Sequence, residues 1–142
     1  RAKTKPNCTT PMWPKALKKG VLRYVQMPDL GRLVHAKPDS LNTGWRNASF
    51  RGSADYMQTA EFAKAIDELI ELAQQERIAI MCAEAVPWRC HRSLIGDALT
   101  VRGIRTEDIM TPTRSQLHKL TSFARVQGTL VTYPPEDPQL PL

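Results

Sequence analysis

Ile78-Ala79-Ile80-Met81-Cys82-Ala83 is apolar on both faces of an extended chain, and it follows directly on an amphipathic helical pattern. In that pattern Thr59 suits the N-cap, and Phe62, Ile66, Leu69, Ile70 and Ala73 recur at helical spacing through Gln75. Glu61, Asp67, Glu68 and Glu71 line the other face. A short two-sided apolar run after such a helix predicts a buried parallel strand. From Ser93 to Val101 the pattern is helical again, on Leu94, Ile95, Ala98 and Leu99, with Gly103 as the C-terminal cap. Alternating helix and strand predicts the α/β class: a mainly parallel, Rossmann-like open sheet with helices packed on its faces. Ligands of such sheets bind where strands lead into helices, which directs attention to the loop Cys82–Ser93.

Outward from this stretch the elements are shorter. Pro14 suits the first turn of a helix from Lys15 to Lys19, closed by Gly20, and Val21 to Val25 reads as a strand. Pro28-Asp29-Leu30-Gly31 reads as a turn, followed by an irregular stretch to about Ser53. A loop of that length is usually functional or disordered, and Trp45, Arg46, Phe50 and Arg51 argue against disorder. The segment Asn42–Gly52 is therefore expected to cover the site. Towards the C-terminus, Arg105 to Met110 reads as a strand, and Ala124–Val126 and Thr129–Tyr133 flank a hairpin turn at Gln127-Gly128. Residues 1–133 are expected to form a single domain opening on a basic loop, 1–14, with a flexible proline-rich tail at 134–142.

The chain has 142 residues, 42% hydrophobic and 24% charged, which fits one globular core and not a disordered chain. No stretch approaches the roughly 18 apolar residues of a membrane span. Its three cysteines form no disulfide framework, so a reducing cytoplasm is the expected compartment. Residues 1–37 hold nine basic side chains against the single acid Asp29, a net +8 in a chain of net +6, so the remainder carries −2. That asymmetry supports a nucleic-acid-binding module as an alternative function, set against a simply solvated basic segment.

The loop after the apolar run concentrates reactive side chains. Cys82 and Glu84 stand near its start, Trp88, Arg89, Cys90, His91, Arg92 and Ser93 where the next helix begins. Helix N-termini attract anions and stabilise thiolates. Two readings stay open. In one, Cys82 or Cys90 is a nucleophile, with His91 and Glu84 as proton-transfer groups. There Arg92, Arg89 and Ser93 hold an anion, helped by Arg46 and Arg51 and lidded by Trp88. The activity is then that of a thiol-dependent hydrolase or transferase acting on a phosphate, sulfate or carboxylate group. In the other, the pocket only binds an anion and the cysteines pack the loop. The spacing of Cys82 to Arg89 or Arg92 does not match the loop of the cysteine phosphatases. Cys82, Cys90 and His91 match zinc spacing weakly, so a metal-binding regulator is the last alternative, and no metal or cofactor is assigned. His35 and His118 have no supporting pattern and read as surface residues.

The blocks Cys82-Ala83-Glu84, Pro87-Trp88-Arg89-Cys90-His91-Arg92-Ser93-Leu94-Ile95, Asn42-Thr43-Gly44-Trp45-Arg46-Asn47 and Arg51-Gly52 with Ala54-Asp55-Tyr56-Met57 resemble the family called domain of unknown function 488. The resemblance runs from about Gly20 to Tyr133 and implies an α/β fold with a compact polar pocket and no settled activity. Cys82, Glu84, Cys90, His91, Arg92, Arg46 and Arg51 match its motif blocks. Members of that family usually open with a strand, a helix and a second strand that this sequence lacks. The resemblance thus implies either a piece of a longer protein or a second copy of the chain completing the sheet. Gly96 stands where alanine is common in the family, at a cost of about 1 kcal/mol if the position is interior to a helix.

Overall fold

In a computed structural model, residues 23–31, 34–81 and 91–135 are described. A 3-10 turn at Pro28–Leu30 precedes three α-helices: α1 (Ala48–Tyr56), α2 (Ala60–Gln75) and α3 (Arg92–Val101). Two hairpins follow. Strand β1 (Glu107–Thr111) pairs antiparallel with β2 (Arg114–Leu117), and β3 (Arg125–Gln127) pairs antiparallel with β4 (Leu130–Thr132).

The parallel Rossmann-like sheet expected from the sequence does not form among the described residues, which are mainly antiparallel α+β. Ile78 to Met81 has no strand partner there; Ile78 is 36% exposed and Ile80 packs only partly against the core. Cys82 and Ala83, the end of the expected strand, lie outside the described residues. An apolar run states a preference for burial, but a strand also needs a neighbour for its N–H and C=O groups. In a parallel sheet that neighbour is distant in sequence and leaves no local trace. Of the strand expected at Val21–Val25, residues 23–25 are irregular and Val25 is exposed. The helix expected at Lys15–Lys19 and the tail beyond Pro135 lie outside the described residues.

Helix α2 forms as its periodicity dictates. Thr59 accepts from the Phe62 N–H at 3.3 Å, and Phe62, Ala65, Ile66 and Leu69 are buried. They pack against Tyr56 of α1 and Ile95 and Leu99 of α3, the main core. A second cluster joins Ala54 of α1 and Leu94 of α3 to Val131 and Tyr133 of the last hairpin. Helix α3 closes on Gly103 at φ 77°, with Gly103 N–H bonded to Thr100 O and Ile104 N–H to Leu99 O, each at 3.0 Å. This is the Schellman arrangement, and Ile104 packs on the core beside Leu99. The last hairpin turns at Gly128-Thr129, one residue later than the pattern suggests, with Gly128 at φ 62°.

The segment expected to be a loop over the site, Asn42–Gly52, instead enters α1. Asn47 caps it by accepting from Ser49 N–H (2.8 Å) and Phe50 N–H (3.3 Å). Ser49, Gly52 and Ser53 are poor helix formers, which hides the helix in the sequence; burial of Gly52, Ala54, Asp55 and Tyr56 stabilises it. Asp55 at its end accepts from Lys37 N–H (2.8 Å), Ser40 Oγ (2.6 Å) and Asn42 Nδ2 (2.6 Å). Fully buried Asn42 accepts at Oδ1 from Tyr133 N–H and Gln58 Nε2, both at 3.0 Å, so one amide ties the 37–44 turn to the last strand. Burial opposes the Asp55 charge, but donation from Ser40, Lys37 and Asn42 outweighs it and holds the carboxyl below its usual range. The stability this contributes is present at neutral pH and is lost as pH falls through the lowered value.

Gly52 is the point where α1 crosses another backbone: a Cβ there would run into the Val34 carbonyl oxygen, which no side-chain rotation relieves. Gly52→Ala is therefore expected to destabilise the protein by about 2 kcal/mol or more despite alanine's higher helix propensity, read as a lowered urea midpoint.

Candidate functional site

The start of α3 is where the described residues bring sequence-expected site groups together. His91 occupies the N-cap position, Arg92 and Ser93 the first turn. His91 has helical backbone angles, φ −64° and ψ −6°, and its side chain makes no capping bond. The first turn contains no acid and instead carries Arg92. A cation there opposes the positive end of the helix dipole, and an absent cap removes roughly 1 kcal/mol of support. Local helix stability alone does not account for this choice of residues.

The His91 ring lies against Gly31, where a Cβ would come within 2.5 Å of Nε2. Leu30, Tyr56, Phe62 and Leu94 surround the same recess, whose void of about 10 Å³ admits at most one water. Burial first, and the neighbouring Arg92 charge second, push the His91 pKa below its ordinary value. The imidazole is thus neutral at neutral pH and acts there through its nitrogens, not through a positive charge. A larger recess, about 390 Å³, lies elsewhere, between Val25–Asp29 and the Glu68–Leu72 face of α2, and contains none of the expected site residues.

The remaining expected residues divide in two. Cys82, Glu84, Trp88, Arg89 and Cys90 lie outside the described residues. Arg46 and Arg51 lie at the start of α1. The Arg51 guanidinium donates to the Trp45 carbonyl from Nε (3.2 Å) and Nη2 (3.0 Å), so it braces the turn into α1. Arg46 is exposed. Trp45 stacks on Phe50 at 4.8 Å and meets Phe123 edge-on at 4.9 Å, which makes this aromatic pair part of the second core. Among the described residues no group of three or more His, Cys, Asp or Glu side chains is placed to hold a metal. None of their helices is long and apolar enough to cross a membrane.

The sequence reading missed a buried polar centre. His118, expected on the surface, is only 8% exposed and lies between two carboxylates. Its Nε2 is 2.8 Å from Asp97 Oδ1 and its Nδ1 3.0 Å from Asp108 Oδ2. Asp97, with no exposed surface, also accepts from Thr121 N–H (3.1 Å), Thr121 Oγ1 (2.7 Å) and Tyr133 OH (2.7 Å). The bond to Asp97 raises the His118 pKa above its ordinary value; desolvation works against this and Asp108 supports it. Burial, then the Asp97 charge, raises the pKa of Tyr133, which stays a phenol and donor. Two signals pointed here. Asp97 interrupts the apolar run Leu94–Leu99, and a charge so placed needs buried partners. Gly96 sits mid-helix because a Cβ there would lie 2.8 Å from His118 Cε1 and Nε2.

The model of the family described as Domain of unknown function DUF488 matches residues 1–99. The chain belongs to the DUF488 family. The match ends within α3, so it takes in the residues at the start of that helix and Asp97, while both hairpins, with Asp108, His118 and Tyr133, lie beyond it. It therefore begins earlier and stops sooner than the Gly20–Tyr133 extent suggested by the motif blocks. Searches of curated proteins and of solved structures returned no match.

Two outcomes follow from the two histidines of this DUF488 chain. Gly96→Ala, favourable by about 1 kcal/mol in an open helix, is expected to destabilise the folded protein by about 1–2 kcal/mol. In a His118→Ala background the sign should reverse, and a double-mutant cycle in urea measures the difference. For His91, the unfolded chain takes up a proton more readily than the folded one, so stability declines as pH drops below about 6.5 towards the lowered value. His91→Gln removes that contribution, visible as a smaller fall in urea midpoint than the parent shows between neutral and mildly acid pH.

Proposed function

We propose that this DUF488 chain is a small cytosolic enzyme or binding protein whose ligand presents an anionic group, a phosphate, sulfate or carboxylate, to the start of α3. The observation that carries the reading is the composition of that helix start: a cation in the first turn, no acid, and an N-cap side chain that does not cap. Natural sequences break local rules of this kind mainly at functional positions, and a helix start is a ready anion site. Arg92 and the first-turn amides are the anion holders in this reading. His91 serves as a neutral hydrogen-bonding or proton-accepting group, in keeping with the proton-transfer role expected from the sequence. The recess behind the His91 ring is already filled, so the ligand approaches the helix start from its other side.

Cys82 and Cys90, which precede the helix start in sequence, are the candidate nucleophiles in this reading. A thiol near a helix start and an arginine loses its proton more easily than a free one, and the thiolate is the attacking species. The imidazole next in sequence to Cys90 is neutral and so open to accept a proton, which supports thiol-dependent transfer or hydrolysis as the reaction class.

The test pairs binding with labelling. Inorganic phosphate and sulfate should bind the parent protein in calorimetry, and Arg92→Gln should weaken that binding at least tenfold. Iodoacetamide labelling against pH should show one cysteine titrating below the ordinary value of about 8.5 in the folded protein and returning to it in denaturant. Labelling should slow in the presence of phosphate. Phosphate binding with ordinary thiols would reduce the site to an anion-binding module; the absence of both would end the proposal.

A further inference from the structure

The Asp97–His118–Asp108 centre stands apart from the helix start and has a property of its own. We infer that His118 is a proton-operated latch, in which the imidazolium fastens the β1–β2 hairpin to α3 and loss of its Nδ1 proton releases the hairpin side.

Both ring nitrogens face carboxylate oxygens, Nε2 at 2.8 Å from Asp97 and Nδ1 at 3.0 Å from Asp108. A carboxylate accepts and cannot donate, so each contact needs its own N–H, and only the imidazolium carries two. A neutral ring keeps one N–H and turns a lone pair toward the other carboxylate. Which contact is lost is decided by burial. Asp97 has no exposed surface and relies on four donors, His118, Thr121 through both N–H and Oγ1, and Tyr133, whereas the Asp108 side chain is 22% exposed and can be rehydrated. The Nε2 proton therefore stays with Asp97 and the Nδ1 proton is the one that leaves to solvent. Asp108 then faces a lone pair and turns to water.

The topology gives that loss a mechanical meaning. Asp108 is on β1 and His118 directly follows β2, while Asp97 is on α3, so the ring is the pin between hairpin and helix. Among the described residues the hairpin buries little else: Ile109 is 61% and Leu117 54% exposed, all four β2 residues are exposed, and of β1 only Asp108 and Met110 are half-buried. Among the described residues the charged and titratable groups that face the ring are Asp97 from α3, Asp108 from β1 and, behind Asp97, the Tyr133 phenol after β4. Glu107 and Lys119 are exposed. The raised His118 pKa agrees with this geometry. The sign follows: the latch is fully closed below about 6.5, the value in an unfolded chain, and opens as pH climbs through the higher folded-state value.

The experiment follows the His118 ring by NMR from mildly acid to alkaline pH, together with hydrogen exchange of the β1–β2 backbone amides, corrected for intrinsic base catalysis. The expected result is a His118 midpoint above 6.5 and hairpin protection that falls with the same midpoint, while α3 and α2 amides stay protected. Asp108→Asn, which removes the charge and can either accept from the Nδ1 proton or donate to its lone pair, should lower the midpoint and uncouple hairpin protection from it. A His118 midpoint at or below 6.5 or hairpin exchange independent of it in the parent protein, or an unchanged midpoint in Asp108→Asn, would each overturn the inference. None of these readings involves the ligand or the thiols, so the latch stands or falls separately from the proposed activity.

Discussion

One carboxylate with no contact to water organises the C-terminal half of this protein. An unpaired charge in that position would cost several kcal/mol, and the structure offsets this with four donors from three places in the chain. Asp97 thereby decides where the segment after β2 runs, where Thr121 turns, and how Tyr133 enters the aromatic cluster with Trp45 and Phe123. Hydrophobic contact alone would leave the β1–β2 hairpin poorly specified, because its strands bury little apolar surface of their own. A polar centre with a definite set of partners supplies that specificity. The Asn42–Asp55–Gln58 network does the same for the loop before α1, and both networks end on Tyr133, one through its N–H and the other through its hydroxyl.

The parts of the fold that depend on neighbours in sequence were readable from it. Thr59 and its i, i+3, i+4 apolar stripe give α2; Leu94, Ile95, Ala98 and Leu99 with Gly103 give α3 and its end; a glycine between β-favouring runs gives the last hairpin. What failed depended on distant partners. Ile78 to Met81 looks like a buried strand by composition, yet no described strand lies beside it. Helix α1 rests on Asn47 and on the fit of Gly52 under Val34, neither of which registers as periodicity. His118 shows the same limit at a single residue: its character comes from Asp97 and Asp108, 21 and 10 residues away.

At the candidate site the sequence directs attention to the start of α3, and the structure adds the protonation state of one group there. His91 and Arg92 are adjacent at the opening of α3, but the histidine is neutral because apolar side chains enclose it and a guanidinium stands beside it. Arg51 has its guanidinium on the Trp45 carbonyl, a bracing role that no motif spacing announces. Helix α3 thus meets two histidines shifted in opposite directions, one at its opening with its pKa lowered and one against its sixth residue with its pKa raised. The difference is set wholly by what each ring faces.

The missing side chain at Gly96 makes room for a group from outside the helix. The hollow it leaves is occupied by the His118 ring, which comes from beyond the family-matched portion and so seats the C-terminal hairpins on a helix that the family match includes. What reads along the chain as a weak spot in the helix is, in three dimensions, the socket for the ring that bonds Asp97.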